Sequence, residues 1–325
     1  MREQYPKAQE RAAARLALAS TNLVLAALVL AALVLGGCAR DGRVVRDADP
    51  AAPALDDERS LGRDGPFGVR LVPRAVRVRV DERIDVDVLV PLEADGAVAR
   101  ARPVAVLVHG GLVAPARYEW LAIHLASRGF VVLVPSHALD LAFFEQENAL
   151  EALRALRRSA RTPGDALHGA MDDAPAAILG HSLGGVVASS LWDEHPDDLD
   201  ELVLFASYPA GSTLRPRTRG RALSILGGAD ARVSRAQASD GLRALATSGR
   251  PAVLAVIDGM SHLQIADDVS PSEASSAGVP TIDEATARAH LRWLVDAMLW
   301  PRTGGTPDAI DDPSRWPEGV ERGAP

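Results

Sequence analysis

The sequence predicts an α/β fold in which a mostly parallel sheet carries helices on both faces. Three observations predict it. From residue 103 onward, short runs of uninterrupted apolar residues recur, as strands buried on both faces require. Segments of helical periodicity lie between them. Upstream, two segments alternate strictly between apolar and polar residues, the pattern of half-buried antiparallel strands at a sheet's leading edge.

The elements follow in order. Residues 75–80 (AVRVRV) and 84–90 (IDVDVLV) are the alternating pair, and 91–102 is a polar turn. Residues 103–108 (PVAVLV) form the first buried strand. A helix over 118–127 stops at Gly129, the residue that most easily takes the left-handed turn ending a helix. Residues 130–134 are the next strand. Leu150, Leu153 and Leu156 make one stripe of a helix over 148–158. Residues 162–173 read as a loop. Further strands are expected at 176–179, 202–206, 222–226 and 252–257, with a helix at 184–192. A closing helix over 281–300 turns Leu291, Leu294, Val295 and Leu299 inward. The domain therefore spans residues 69–300. Residues 38–68, rich in Asp, Arg, Pro and Ala, read as a flexible tether. Residues 301–325, bearing Pro and Gly, read as a poorly ordered tail.

Composition bounds the function classes. The chain has 325 residues, of which 47% are hydrophobic, enough for one sizeable core. Its formal charge is -8 and it has no dense Lys/Arg patch, so nucleic acid is not an expected partner. No His or Cys cluster has metal-ligand spacing, so neither a metal nor a cofactor is expected.

The chemistry is concentrated at Gly180-His181-Ser182-Leu183-Gly184, a G-x-S-x-G pattern between a strand and a helix. A sharp strand-to-helix turn with Ser at its apex is a nucleophile elbow. The turn crowds the backbone, so residues without side chains are needed on both sides. The exposed hydroxyl then stands at the positive end of a helix. Two more strands end in candidate partners: 222–226 runs into Asp230, and 252–257 into Asp258 and His262. Asp230 and His262 thus lie just past the carboxyl ends of consecutive strands, where catalytic groups gather in open α/β sheets. Asp258 rivals Asp230 for the acid, but it lies on the strand feeding the His262 turn. Upstream, 103–108 runs into His109-Gly110-Gly111-Leu112, a loop that can aim a backbone N–H at a developing oxyanion. The expected donors are Leu183 and Gly111, with Leu112 the near alternative. His109 and His181, inside the motifs, are assigned to loop geometry and supporting hydrogen bonds. Leu141, Phe143, Phe144, Tyr208 and Leu263 are expected to supply apolar pocket surface. The stretch 263–280 reads as a mobile loop from its Ser, Asp and Ala content.

Over residues 70–300 the chain resembles bacterial α/β-hydrolases of the lidless, dienelactone-hydrolase-like kind. The resemblance rests on His109-Gly110-Gly111-Leu112-Val113, on residues 139–144 (LDLAFF), on the elbow, on residues 205–209 (FASYP), and on the Asp230 and His262 turns. It departs from the family pattern where relatives have Gly after the acid and Gly-x-His-Ala-x-Phe around the histidine. Here Ala231 follows Asp230, and the second motif reads Gly259-Met260-Ser261-His262-Leu263-Gln264-Ile265. The resemblance implies an α/β-hydrolase fold without a cap domain, since only residues 209–220 separate the two strands between which caps are inserted. It implies a serine hydrolase of small or polymeric carboxylic esters, with Ser182, Asp230 and His262 as a triad and an acyl-enzyme intermediate. Thioesterase, peptidase, polyester depolymerase and acyltransferase activities remain open on the same scaffold. A non-catalytic envelope lipoprotein is the reading from a different class.

The N-terminus carries a second message. Arg11 and Arg15 precede an apolar run over 16–35, broken only by Ser20, Thr21 and Asn22. A basic start, an apolar core and small residues before the cut describe a secretory signal, here residues 1–37. The ending Leu35-Gly36-Gly37-Cys38 resembles a bacterial lipobox, and Cys38 is the only cysteine in the chain. The expectation is an exported protein, anchored in the cell envelope through a lipid on Cys38. An uncleaved membrane anchor remains open, because the run is long enough to span a bilayer. A misassigned start site, leaving the polar residues 1–10 outside the natural chain, also remains open.

Overall fold

A computed structural model describes residues 42–137, 140, 147–209, 220–306 and 308–323. The signal segment and Cys38 lie outside the described residues, as do Leu141, Phe143, Phe144 and most of the 209–220 connection. Among the described residues, no helix is long and apolar enough to cross a membrane.

The strands are β1 (Arg43–Arg46), β2 (Gly68–Arg77), β3 (Arg83–Leu92), β4 (Val104–Val108), β5 (Val131–Pro135), β6 (Ala176–His181), β7 (Leu199–Phe205), β8 (Arg221–Gly227), β9 (Ala252–Ile257) and β10 (Val320–Gly323). The helices are α1 (Glu119–Ser127), α2 (Asn148–Ala160), α3 (Leu183–Glu194), α4 (Arg235–Thr247), α5 (Pro271–Ala277), α6 (Glu284–Leu299) and α7 (Asp308–Asp311). The strands form one ten-stranded sheet in the order β1-β2-β3-β5-β4-β6-β7-β8-β9-β10. From β5 to β9 every neighbouring pair is parallel. The two alternating segments are the antiparallel pair β2 and β3, in register from Gly68↔Leu92 to Arg77↔Arg83.

Alternation along each strand sends side chains to two separate cores. Ala105 and Leu107 of β4 pack on one face, with α1 and α6 over them. Val104, Val106 and Val108 pack on the other, beneath α2, α3 and α4. All five β4 residues are buried, which explains their uninterrupted apolar run. Helix α4, absent from the expected elements, opens on a capping box between Ser234 and Gln237 and buries Ala238, Leu242 and Leu245.

Two boundaries differ from expectation. Residues 42–68 are not a tether. β1 pairs antiparallel with β2, through Arg43↔Leu71 and Val44↔Arg70, and Leu61 enters the core. Residues 301–323 are not a loose tail either. Ile310 and Trp316 are buried with α6, and β10 closes the sheet by pairing with β9 from Val320↔Ile257 to Gly323↔Leu254. The two ends also meet each other, because Arg315 Nε donates to the Glu58 carboxylate (2.6 Å), and beside them Trp300 Nε1 donates to the Leu55 carbonyl (2.6 Å). Composition misleads at both ends because a few large apolar side chains and specific ion pairs, rather than average hydropathy, fasten them.

The principal fastener of the N-terminal segment is His124 on α1. Its side chain is fully buried, with Nδ1 2.8 Å from Asp64 and Nε2 2.9 Å from Asp296. Two carboxylate acceptors require both ring nitrogens to be protonated, so the ring is an imidazolium. Asp296 also pairs with Arg128 (3.0 Å) and accepts from the Gly62 N–H (2.7 Å). Burial opposes the charge on His124, but the Asp296 and Asp64 carboxylates outweigh it and raise its pKa. Hydrogen bonding to His124 lowers that of Asp64 to about 2. Stabilisation from His124 is therefore complete below its ordinary pKa of 6.5 and is lost as pH rises through the raised value. Stabilisation from Asp64 is lost as pH falls from 3.8 through about 2.

His124→Gln, which cannot bear the charge, is expected to cost about 3 kcal/mol at pH 6. It should also flatten the alkaline fall in Tm that the wild-type protein shows. Thermal melts across pH 5–10 check this; parallel curves for the two proteins would contradict the imidazolium assignment.

Candidate active site

Ser182 joins β6 to α3 with φ 50° and ψ −122°, a left-handed conformation that a non-glycine residue rarely adopts. Such strain costs about 1–3 kcal/mol and survives only where the surroundings enforce it. The surroundings here are mostly backbone. A Cβ on Gly184 would lie 2.1 Å from the His109 carbonyl oxygen, and one on Gly180 would lie 2.6 Å from the Gly185 Cα. A Cβ on Gly185 would lie 2.5 Å from Ser207 Oγ. β7 holds the turn from the other side. The Ser182 N–H donates to the Phe205 carbonyl (2.9 Å), and Ser207 Oγ donates to the Ser182 carbonyl (2.7 Å).

The structure brings Ser182, His262 and Asp230 together. Ser182 Oγ lies 2.9 Å from His262 Nε2. His262 Nδ1 lies 2.9 Å and 3.1 Å from the two Asp230 oxygens. With a carboxylate facing Nδ1, the Nδ1–H donates to Asp230 and the Ser182 hydroxyl donates to Nε2. The side chains of His262 and Asp230 are buried, while Ser182 is partly exposed. Asp230 also accepts from the N–H groups of Arg232 (2.7 Å) and Val233 (2.9 Å), which fixes its carboxylate. The rival acid, Asp258, is exposed, and its N–H donates to the Gly319 carbonyl at the start of β10.

The acid and histidine turns are fixed to each other. The Ala277 carbonyl at the end of α5 accepts from both the His262 N–H (3.0 Å) and the Ala231 N–H (3.3 Å). A Cβ on Gly227, at the end of β8, would lie 2.1 Å from the Met260 carbonyl oxygen. The stretch 263–280 therefore contains a supporting helix rather than a mobile loop. Its polar residues are used locally: Ser270 and Glu273 form a capping box, and Gln264 bonds the Ser261 N–H and the Ile282 carbonyl. Arg117 Nη1 reaches Glu273 (2.7 Å), and Trp120 Nε1 reaches the Ile265 carbonyl (2.8 Å). Leu263 is buried in the core shared by α1 and α6, so it is not pocket surface. Tyr208 is partly buried against the opposite core.

The loop 109–112 runs against the first turn of α3, as the approach of His109 to Gly184 requires. Its two candidate donors differ. The Leu112 N–H donates to the Asp140 carbonyl (2.8 Å), so it is occupied. The Gly111 N–H has no acceptor among the described residues. Leu183 is the first residue of α3, where an N–H has no intrahelical partner. The exposed side chain of Leu112 stands on the same loop.

Residues 104–268, just over half of the chain, match the model of the alpha/beta hydrolase family. The chain belongs to that family. A ferulic acid esterase from Streptomyces cinnamoneus is a structural relative, with TM-score 0.55 and 15% identity, covering 78% of this chain and 94% of that one. At that identity the likeness concerns the fold. In all, 977 solved chains match, too many for fold to select a substrate in this hydrolase. No curated protein sequence matches the chain.

Sequence reasoning missed Tyr118, whose hydroxyl sits between the Gly110 N–H (2.9 Å) and His181 Nδ1 (2.8 Å). Read along the chain, Tyr118 is only a helix start; no spacing rule announces its partners. Glu147, Glu194 and His195 lie close enough to share an ion, but Glu194 and His195 sit at the far end of α3, about 18 Å from Ser182 by helix rise, and Glu147 joins them from the start of α2.

Gly184→Ala is expected to lower stability by about 2 kcal/mol, because its methyl would meet backbone rather than a movable side chain. Urea denaturation measures this. An unchanged midpoint would show that the loop and helix do not approach as described.

Proposed function

We propose that this hydrolase is a serine esterase that cleaves carboxylic esters through an acyl-enzyme. The observation that carries the reading is the line Ser182–His262–Asp230, with Ser182 held at positive φ at the start of α3. Ser182 Oγ attacks the ester carbonyl carbon while its proton passes to His262 Nε2. Asp230, facing Nδ1–H, orients the ring and stabilises the imidazolium that forms. The tetrahedral oxyanion accepts hydrogen bonds from the N–H groups of Leu183 and Gly111, each such donor being worth roughly 3 kcal/mol in the transition state. His262 then protonates the leaving alcohol as the C–O bond breaks. Water, deprotonated by His262, attacks the acyl-enzyme and releases the acid.

Thioesters, amides and polymeric esters enter the same chemistry, so substrate class is a matter for measurement. p-Nitrophenyl esters of graded chain length should be hydrolysed by residues 39–325, the longest favoured chain sizing the pocket. Ser182→Ala should reduce turnover about 10⁶-fold and Asp230→Asn about 10⁴-fold, with the fold intact by circular dichroism. A Ser182→Ala variant with normal turnover would end this reading. A folded wild-type protein without ester turnover would favour a thioester, peptide or polymer substrate.

The chain's site of action is proposed separately. The basic start, the apolar run and Leu35-Gly36-Gly37-Cys38 support export and a lipid on Cys38. Labelled palmitate should be incorporated when the full chain is expressed in bacteria and lost in Cys38→Ser. Equal incorporation in both would remove the lipid anchor.

A further inference from the structure

The turn between the oxyanion loop and α1 contains a buried hydrogen-bond chain that the reaction scheme above does not use. Its proton positions follow from its ends. His181 Nε2 lies 3.0 Å from the His262 carbonyl oxygen. A carbonyl only accepts, so Nε2 bears a hydrogen. In a neutral ring Nδ1 is then an acceptor, and its partner at 2.8 Å is the Tyr118 hydroxyl. Tyr118 must therefore donate to His181, and its oxygen accepts the Gly110 N–H at 2.9 Å. Every hydrogen has one place. The chain runs from the backbone of the oxyanion loop, through two side chains, to the backbone of His262.

The packing around this chain shows a built contact. Tyr118 and His181 are fully buried. A Cβ on Gly110 would lie 2.6 Å from His181 Nδ1 and 3.1 Å from the Tyr118 hydroxyl, so Gly110 leaves room for the pair. The rings of His181 and His262 are 5.0 Å apart. A charge on His181 would oppose the imidazolium that His262 becomes. Burial, with His262 as the next cause, holds the pKa of His181 down to about 3, so the ring stays neutral wherever His262 works.

Given the serine-esterase reading on which this rests, we infer that Tyr118 and His181 are positioning residues that hold the oxyanion loop and His262 in register across the elbow. The two groups follow strands far apart in sequence, β4 and β9. Ser182 lies between them, and the line of attack depends on both at once. Arg117, the neighbour of Tyr118, ties the same two regions on the outside, through the Asp267 backbone and Glu273. Tyr118 and His181 are the inner tie, and they reach the backbone of the groups that meet the reacting atoms.

The test compares Tyr118→Phe, His181→Gln and His181→Leu with the wild type on a p-nitrophenyl ester. A trifluoromethyl ketone, which adds Ser182 to form a tetrahedral oxyanion, is the second probe. Tyr118→Phe keeps the ring but removes the acceptor of Gly110 and the donor to His181. We expect kcat to fall about tenfold or more with KM within about twofold, and ketone affinity to weaken by the same factor. Gln at 181 can donate to the His262 carbonyl and accept from Tyr118, so His181→Gln should recover most of what His181→Leu loses. In the double variant Tyr118→Phe/His181→Leu the loss should equal the larger single loss, because one chain is broken once or twice. Wild-type kcat and ketone affinity in Tyr118→Phe would overturn the inference, as would a loss confined to Tm. If Tyr118→Phe fails to fold, the two His181 variants decide, and equal rates for Gln and Leu would overturn it. Labelling of wild-type Ser182 by a fluorophosphonate separates the two levels: without labelling the serine-esterase reading itself falls, whereas labelling and turnover unaffected by Tyr118→Phe remove only the positioning role.

Discussion

The molecule is organised around a backbone contact that admits no side chain. At the end of β6 the chain reverses into α3 within one residue, and Ser182 takes a positive φ to do so. That reversal is possible because Gly180 and Gly185 can touch, and because Gly184 lets the His109 carbonyl press against the first helical turn. The strain at Ser182 is offset by its N–H donating to Phe205 at the end of β7 and by its carbonyl accepting from Ser207 Oγ just beyond that strand. The central position of β6, between β4 and β7, is what allows both neighbours to act on the turn.

The other two members of the line need a different kind of support. Asp230 and His262 sit on loops after β8 and β9, and loops do not hold geometry by themselves. Three devices compensate. Adjacent N–H groups fix the Asp230 carboxylate, the Ala277 carbonyl binds both turns, and Gly227 lets β8 press on Met260. α5 is short, yet it reaches both turns through one carbonyl. Its own start is pinned by the Ser270–Glu273 capping box and by Arg117. The His262 side thus relies chiefly on polar contacts, and the elbow chiefly on close packing.

What was legible in the sequence follows this division. The buried strands and the elbow were readable because they are local: an apolar run, and glycines at fixed spacing. The order Ser182, Asp230, His262 was readable because the parallel strands return each loop to the same edge of the sheet. The choice between Gly111 and Leu112 was not, because it turns on whether Asp140 takes one N–H, a contact between distant loops. The tether and tail readings failed for the same reason. Asp64 looks like a solvated residue until His124 and Arg292 are placed beside it, and Trp316 looks isolated until α6 is. α5 failed as well, since Ser, Glu and Ala in a capping box have the composition of a loop. Average composition registers solubility; it does not register that a polar group has one partner.

Two buried histidines show how partners decide charge. His124 and His181 are both fully enclosed, so desolvation pushes each toward neutrality. His124 faces carboxylates at both nitrogens and is held charged. His181 faces a carbonyl and a hydroxyl, neither of which bears charge, and it stays neutral. The consequences differ in kind. A charged ring between Asp64 and Asp296 fastens the N-terminal segment to the body, at a distance from the elbow. A neutral ring against His262 can connect two backbones while adding no field at the ring that faces Ser182. Were the two environments exchanged, a cation at 181 would raise the cost of protonating His262, and a neutral ring at 124 would leave Asp64 and Asp296 facing each other with one donor too few. The placement of carboxylates, more than the placement of histidines, therefore separates the part of this protein that holds its end in place from the part that bears on Ser182.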